Sequence, residues 1–177
     1  MINERTIKSD KIYQGKIINL RVDTVELPDK KYSKREIVEH PGGVAILPIT
    51  KDNKIIMVKQ YRKSVEEKLL EIPAGKLEIG EEPKECAKRE LLEETGYTSE
   101  NIEYLFKFYT SPGFSNEVIS LFIAKNLEKG EARPDEDEYI EIKEYEIEEL
   151  LEMIKNGEIK DAKTIIAILY IKNSLNM

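Results

Sequence analysis

Tryptophan is absent from this 177-residue chain, and cysteine and histidine occur once each. A lone Cys86 cannot close an internal disulfide, so the expected compartment is the cytoplasm. A lone His40, with no cysteine pair to help it, cannot build a zinc site of imidazoles and thiolates. No apolar run is long enough to span a bilayer, and the opening MINERTIKSDK lacks the apolar stretch of a signal peptide. No membrane partner is expected. Positive charge is also short. A net charge of -7 argues against a nucleic-acid polymer as partner. It does not exclude a nucleotide, whose phosphates a divalent ion can mask. What remains is a chain of one-domain length, 40% hydrophobic and rich in glutamate, with 28 of them.

Residues 10–40 read as short strands with charged turns, and Pro41-Gly42-Gly43 is a break. The apolar runs GVAILPIT and KIIMVKQYR then read as a hairpin turning at Lys51-Asp52-Asn53. LLEIPAG reads as a further strand ending at Pro73 and Gly75. Pro83 suits a first helical turn, Ala87, Leu91 and Glu94 follow at helical spacing, and Gly96 suits the stop. Later strands are expected in NIEYLFKFYTS, EVISLFIAKN and EYIEIKEY. Ile147–Lys155 reads as an amphipathic helix, and Asp161 as the N-cap of a more apolar one. The pattern implies the α+β class: an α-β-α sandwich with a mixed sheet over residues 41–177, and a small β element over residues 1–40.

The run GKLEIGEEPKECAKRELLEETGY, from Gly75 to Tyr97, carries the chemistry. Glu90, Glu93 and Glu94 stand three and four residues apart, which sets Glu90 beside both others on a helix. Like charges so spaced destabilise a helix unless a cation holds them. Among 28 glutamates some will cluster by accident as a solvated face. The pattern also fixes Gly75, Glu81, Arg89 and Gly96, and a chance match at all seven positions is on the order of 10⁻⁵ on this composition. Hard divalent ions such as Mg²⁺ or Mn²⁺ want oxygen ligands, which the three glutamates supply. The Ala74 carbonyl could complete such a shell, because Gly75 lets the backbone approach. Arg89 can orient a carboxylate through a forked hydrogen bond. Glu81 is a candidate partner for it, or simply favours the helix N-terminus. Cys86, inside the helix, reads as a small core residue.

This run resembles the Nudix box, G-x5-E-x7-R-E-U-x-E-E-x-G-U, where U is a bulky aliphatic residue. All fixed positions match; the last U is Tyr97. The resemblance implies hydrolysis of a nucleoside diphosphate linked to another moiety, with Glu90, Glu93 and Glu94 holding Mg²⁺ or Mn²⁺. The flanks are similar to the ADP-ribose pyrophosphatase branch. Glu71-Ile-Pro-Ala-Gly-Lys-Leu-Glu78 leads into the box, and Pro112 lies 16 residues past Gly96, where that branch carries its marker proline. Pro112-Gly113 alone would read as an ordinary turn. Asp135-Glu136-Asp137-Glu138 resembles the acidic loop that supplies the branch's general base, leaving Glu136 and Glu138 both open for that role. Arg35 and Arg62 look like its substrate-gripping arginines, and Glu117 would bind the terminal ribose hydroxyls.

The implied activity is cleavage of ADP-ribose into AMP and ribose 5-phosphate. A GDP-sugar or a dinucleotide is the close rival, since base and sugar contacts lie on loops. A nucleotide-sensing module without catalysis is a more distant one, because such modules usually lose box carboxylates and this chain keeps all three. The resemblance further implies a homodimer, with the N-terminal β element packing on the partner subunit.

Overall fold

The computed structural model of the chain describes residues 3–131 and 139–175. Its residues fall into two compact units. One joins Met1–Gly42 with Tyr109–Val118, and the other joins Gly43–Phe108 with Ile119–Met177.

In the second unit the core is set by alternation along single strands. Successive side chains of a strand point to opposite faces. Strand β4 (Gly43–Pro48) is buried along its whole length. Ala45 and Leu47 join one core cluster, while Val44 and Ile46 join another. Leu121 and Ile123 of β10 (Val118–Lys125) go with the first pair, Phe122 and Ala124 with the second. The first cluster is closed by Leu150 of helix α2 (Ile147–Lys155) and by Ala167, Ile168 and Ile171 of α3 (Ala162–Leu175). The second is closed by Cys86, Ala87 and Leu91 of α1 (Pro83–Thr95). A sheet with helices on both faces results, the α+β sandwich expected from the sequence. The sheet is mixed: β4 runs parallel to β10 and antiparallel to β7 (Ala74–Lys76). Strand β9 (Asn101–Tyr109) completes the order β7-β4-β10-β9.

Two strand expectations need correction. The turn at Lys51–Asn53 exists, with Thr50 N–H donating to the Lys54 carbonyl oxygen at 2.9 Å, but it does not join a paired hairpin. Strand β5 (Ile55–Arg62) pairs instead with β6 (Glu67–Glu71) and β12 (Glu141–Tyr145). Both edges of β4 are taken by β7 and β10, so no edge is left for β5 beyond the single bridge Ile49–Ile55. The run LLEIPAG is likewise not one strand. It passes from the β5 sheet to the β4 sheet at Pro73, whose ring nitrogen has no hydrogen to donate. Two short strands, β8 (Tyr97–Thr98) and β11 (Glu128–Lys129), pair beside α1.

Helix α1 begins and ends for local reasons. Pro83 occupies its first turn, and Gly96 closes it in the left-handed region (φ 71°), donating N–H to the Leu92 carbonyl oxygen at 2.8 Å. Burying Leu91 completely stabilises the fold by about 1.5–3 kcal/mol. Asp161 caps α3 as expected, accepting the Thr164 N–H at 3.0 Å. Among the described residues no helix is long and apolar enough to cross a membrane.

The first unit is an antiparallel sheet of β1 (Arg5–Gln14), β2 (Asn19–Glu26) and β3 (Tyr32–Glu39). β1 carries two register irregularities and exposes Ile7, Ile12 and Tyr13. Segment Tyr109–Val118 is fastened to the end of β3: Val38 N–H donates to the Phe114 carbonyl oxygen at 2.8 Å, and Asn116 N–H to that of Val38 at 3.2 Å.

Candidate active site

The carboxylate helix is organised around one guanidinium. Arg89 donates from Nε and Nη2 to the two oxygens of Glu81 at 2.9 and 3.0 Å. Its Nη1 donates to Glu90 at 2.7 Å and to Glu93 at 2.9 Å. The Glu81 fork holds that carboxyl down at about 2 and raises the pKa of Arg89. Glu81 also accepts the Glu78 N–H at 3.0 Å, which ties the loop before the helix to the same cluster. Of the two roles open to Glu81, the structure shows the partner of Arg89.

Glu94 faces another way. It is 3% exposed, and its Oε2 accepts the Ala74 N–H at 3.0 Å. Gln60 Nε2 reaches its Oε1 at 3.5 Å. Glycine at 75 makes room for the helix: a Cβ there would stand 1.8 Å from Glu90 Oε1. Gly43, across the β4–β7 ladder, does the same for the Gly75 carbonyl, which a Cβ would approach to 2.7 Å. The three box glutamates therefore share a helix but not one set of partners. Among the described residues, no three His, Cys, Asp or Glu side chains are grouped so as to hold a metal ion. Arg89 meets part of the charge that a cation would otherwise meet.

The donor set still fits a hard cation. Glu90, Glu93 and Glu94 offer only oxygen, and the Gly75 cradle brings a carboxylate against the backbone next to Ala74. Cys86 adds no soft ligand. It is buried, its thiol is pushed up to about 12 by burial, and its Sγ lies 3.5 Å from the Lys76 carbonyl oxygen.

Arg62 belongs to this unit and is forked onto Glu71, Nε to Oε1 and Nη2 to Oε2, both at 2.8 Å. Glu71 is 1% exposed and also pairs with Lys163 Nζ at 2.5 Å. Burial alone would push this carboxyl up; the Arg62 fork and the Lys163 charge outweigh it and hold it below the usual range. Gln60, Glu71, Lys163 and Gly43 had not stood out as site residues. A carboxylate inside the apolar run Leu69-Leu70-Glu71-Ile72 was the one available signal.

Arg35, Pro112, Gly113 and Glu117 lie in the first unit. Arg35 is half-buried and forked onto Glu4, Nη2 at 2.5 Å and Nε at 2.9 Å. Pro112 and Gly113 form a turn closed by the Phe114 and Ser115 N–H groups on the Ser111 carbonyl oxygen. Glu117 accepts from Thr110 Oγ1 at 2.6 Å and stands 3.3 Å from His40 Nδ1. Glu136 and Glu138 lie outside the described residues. A cavity of about 400 Å³ lined by Ile49, Thr50, Ile55, Ile147 and Ile171, among others, shares no lining residue with α1.

A glycine that seats a carboxylate against the chain, and an arginine that gathers that carboxylate and two more, are what the seven fixed positions of the box encode. The Nudix domain pattern matches residues 39–167, and the chain belongs to the Nudix family of hydrolases. Residues 4–44 match a narrower pattern, the nucleoside diphosphate sugar hydrolase N-terminal domain. The chain is 52% identical over 174 residues to a "Methanol dehydrogenase activator" of Bacillus methanolicus, covering 97% of this chain and 94% of the relative. It is 50% identical over 173 residues to an ADP-ribose pyrophosphatase of Bacillus subtilis (strain 168), with the same coverage. It is 34% identical over 188 residues to a GDP-mannose pyrophosphatase of Escherichia coli (strain K12), covering 98% of each. A solved structure described as an ADP compounds hydrolase shares the fold, with TM-score 0.86 over 98% of this chain and 94% of that one, at 19% identity.

Proposed function

We propose that the chain hydrolyses the pyrophosphate bond of ADP-ribose, releasing AMP and ribose 5-phosphate, with Mg²⁺ or Mn²⁺ as cofactor. The observation that carries the reading is the Gly75 cradle with Arg89 gathering Glu81, Glu90 and Glu93. Glu90, Glu93, Glu94 and the Ala74 carbonyl would hold the metal. When bound, such an ion neutralises phosphate charge and lowers the pKa of water. Arg89 keeps Glu90 and Glu93 in place, and the Ala74 N–H keeps Glu94. Water attacks one phosphorus, and Glu136 or Glu138 takes its proton. Arg62 grips the pyrophosphate, while Arg35, Glu117, Pro112 and Gly113 keep the substrate contacts that the resemblance implies. The 50% identity to an ADP-ribose pyrophosphatase over nearly the whole chain supports the choice of substrate.

The second reading is GDP-mannose, favoured by the 34% identical pyrophosphatases that act on it. A panel of ADP-ribose, GDP-mannose and a dinucleotide, each with a titration of Mg²⁺ and Mn²⁺, separates the two. Nucleoside monophosphate release fastest from ADP-ribose is expected; no AMP from ADP-ribose beside rapid release of GMP from GDP-mannose would replace the first reading by the second.

The working form in this reading is a homodimer in the cytoplasm. The exposed Ile7, Ile12 and Tyr13 on β1 support association through the N-terminal sheet, and the single buried cysteine suits a reducing compartment. Light scattering on a chain lacking residues 1–40 should report a monomer; an unchanged dimer would count against that role.

A further inference from the structure

A buried carboxylate held by two cations from elements far apart in sequence is an uneconomical way to stabilise a core, because apolar residues of the same volume often do as well. Glu71 is such a group. Arg62 comes from β5, and Lys163 from the first turn of α3. Lys163 is only 13% exposed and also pairs with Asp161 at 3.0 Å. Asp161 in turn accepts from Thr164 Oγ1 at 2.6 Å, and that hydroxyl receives the Ile72 N–H at 2.9 Å. The N-terminal turn of α3 therefore holds Glu71 through its side chain and Ile72 through its backbone. Two residues on, the Ala74 N–H is held by Glu94. The segment between them carries the chain from the β5 sheet to the Gly75 cradle.

What this arrangement does to Arg62 is specific. Glu71 takes Nε and Nη2, and among the described residues Nη1 donates to no protein acceptor. Arg62 is 38% exposed, so this last nitrogen keeps donors for an anion, while the fork on a fixed acceptor sets its direction. The Arg62 pKa is raised first by the Glu71 bond and also by the charges of Glu94 and Asp161. Electrostatically, Arg62 is thus coupled to both the carboxylate helix and the α3 cap.

We infer that Lys163 is a positioning residue for substrate binding: by sharing the buried Glu71 it fixes the guanidinium of Arg62 to receive a phosphate. This rests on the reading of the chain as a nucleoside diphosphate hydrolase in which Arg62 grips the pyrophosphate. Lys163 itself touches no substrate. Replacing it releases one side of Glu71, so the Arg62 fork turns with its acceptor and the phosphate contact loosens.

The test compares Lys163→Met, Lys163→Arg and the double variant Glu71→Gln/Lys163→Met in the full chain. The double variant removes the buried charge together with its partner and carries the test if Lys163→Met does not fold. With ADP-ribose and Mg²⁺, Lys163→Met and the double variant should raise KM by about 10- to 100-fold, with kcat changed less than about threefold. Lys163→Arg should restore KM. An activity-independent readout is the Arg62 Nε–H signal in nitrogen-15 NMR, assigned by its loss in Arg62→Lys. It should be protected from exchange in the wild type and Lys163→Arg, and exchange fast in the other two. A wild-type KM and a protected Arg62 signal in a folded Lys163→Met or double variant would overturn the inference, whatever the loss in Tm. If the wild type cleaves no nucleoside diphosphate, the hydrolase reading fails; the Arg62 signal then decides the Lys163–Glu71–Arg62 linkage by itself.

Discussion

Two ion clusters in the same unit are inversions of one another. In the first, one cation, Arg89, gathers three carboxylates, and it is about one-third exposed. In the second, one carboxylate, Glu71, gathers two cations, and it is buried. The first gathers carboxylate oxygens, those of Glu90 beside a backbone cradle. The second leaves a donor over, on Arg62. A divalent cation suits the former and a phosphate the latter, and a metal-dependent pyrophosphatase needs both. Charge imbalance at a cluster, more than the number of its ion pairs, is what separates a functional constellation from surface pairing.

The contrast is broken most strongly at the carboxylate end. Glu93→Gln should lower kcat at least about a hundredfold with circular dichroism and Tm unchanged, since this side chain is one-third exposed and, among the described residues, bonded only to Arg89. Near-normal turnover would remove Glu93 from the metal set. Gly75→Ala should produce a similar loss of kcat, because the new Cβ would meet the flexible end of Glu90 and displace it without disturbing the fold.

Removing the hub is next. Arg89→Met leaves Glu81, Glu90 and Glu93 without their shared cation and should lower stability in urea by about 2–3 kcal/mol. A loss under about 0.5 kcal/mol would mean that the hydrogen bonds around Arg89 add nothing beyond surface pairing.

The pH response sharpens the comparison further. Glu81 titrates at about 2 in the fold against an ordinary value of 4.5. A carboxyl with a lowered folded pKa stabilises the protein above its unfolded pKa and loses that stabilisation as pH falls through the folded value. The wild type should therefore exceed Glu81→Gln in Tm at pH 7, and the gap should close between pH 4.5 and about 2. A gap that persists unchanged at pH 2 would contradict the ion pair as its source. The smallest effect is at Cys86, which adjoins the Arg89 cluster: its thiol should resist iodoacetamide at pH 8 in the native state and react after unfolding.

Much of the carboxylate end was legible because its signals are local. Pro83 and Gly96 delimit α1, and Glu90, Glu93 and Glu94 follow from helical spacing alone. α2 spans the residues its amphipathic pattern assigned, Ile147–Lys155. At the Glu71 end Arg62 stood out by resemblance, but the group that holds it did not, since Lys163 is 92 residues from Glu71 in sequence and nothing local marks that lysine. The strand errors have the same origin. Thr50 and Asn53 form the turn, yet β4 and β5 part into different sheets because distant β7 and β10 compete for the edges of β4.

By itself, then, the sequence determined which helix bears the chemistry, where that helix starts and stops, and which oxygen donors it offers. Those depend on neighbours within a turn or two, where sterics and capping act. The tertiary structure alone decided how the donors are shared, with Glu90 and Glu93 on Arg89 and Glu94 on the Ala74 peptide. It also decided that Arg62 would be aimed by a buried carboxylate, and that Tyr109–Val118 would pack with the N-terminal sheet. Such outcomes depend on which strand edges and which charges meet across the fold, and burial makes each of those meetings strong.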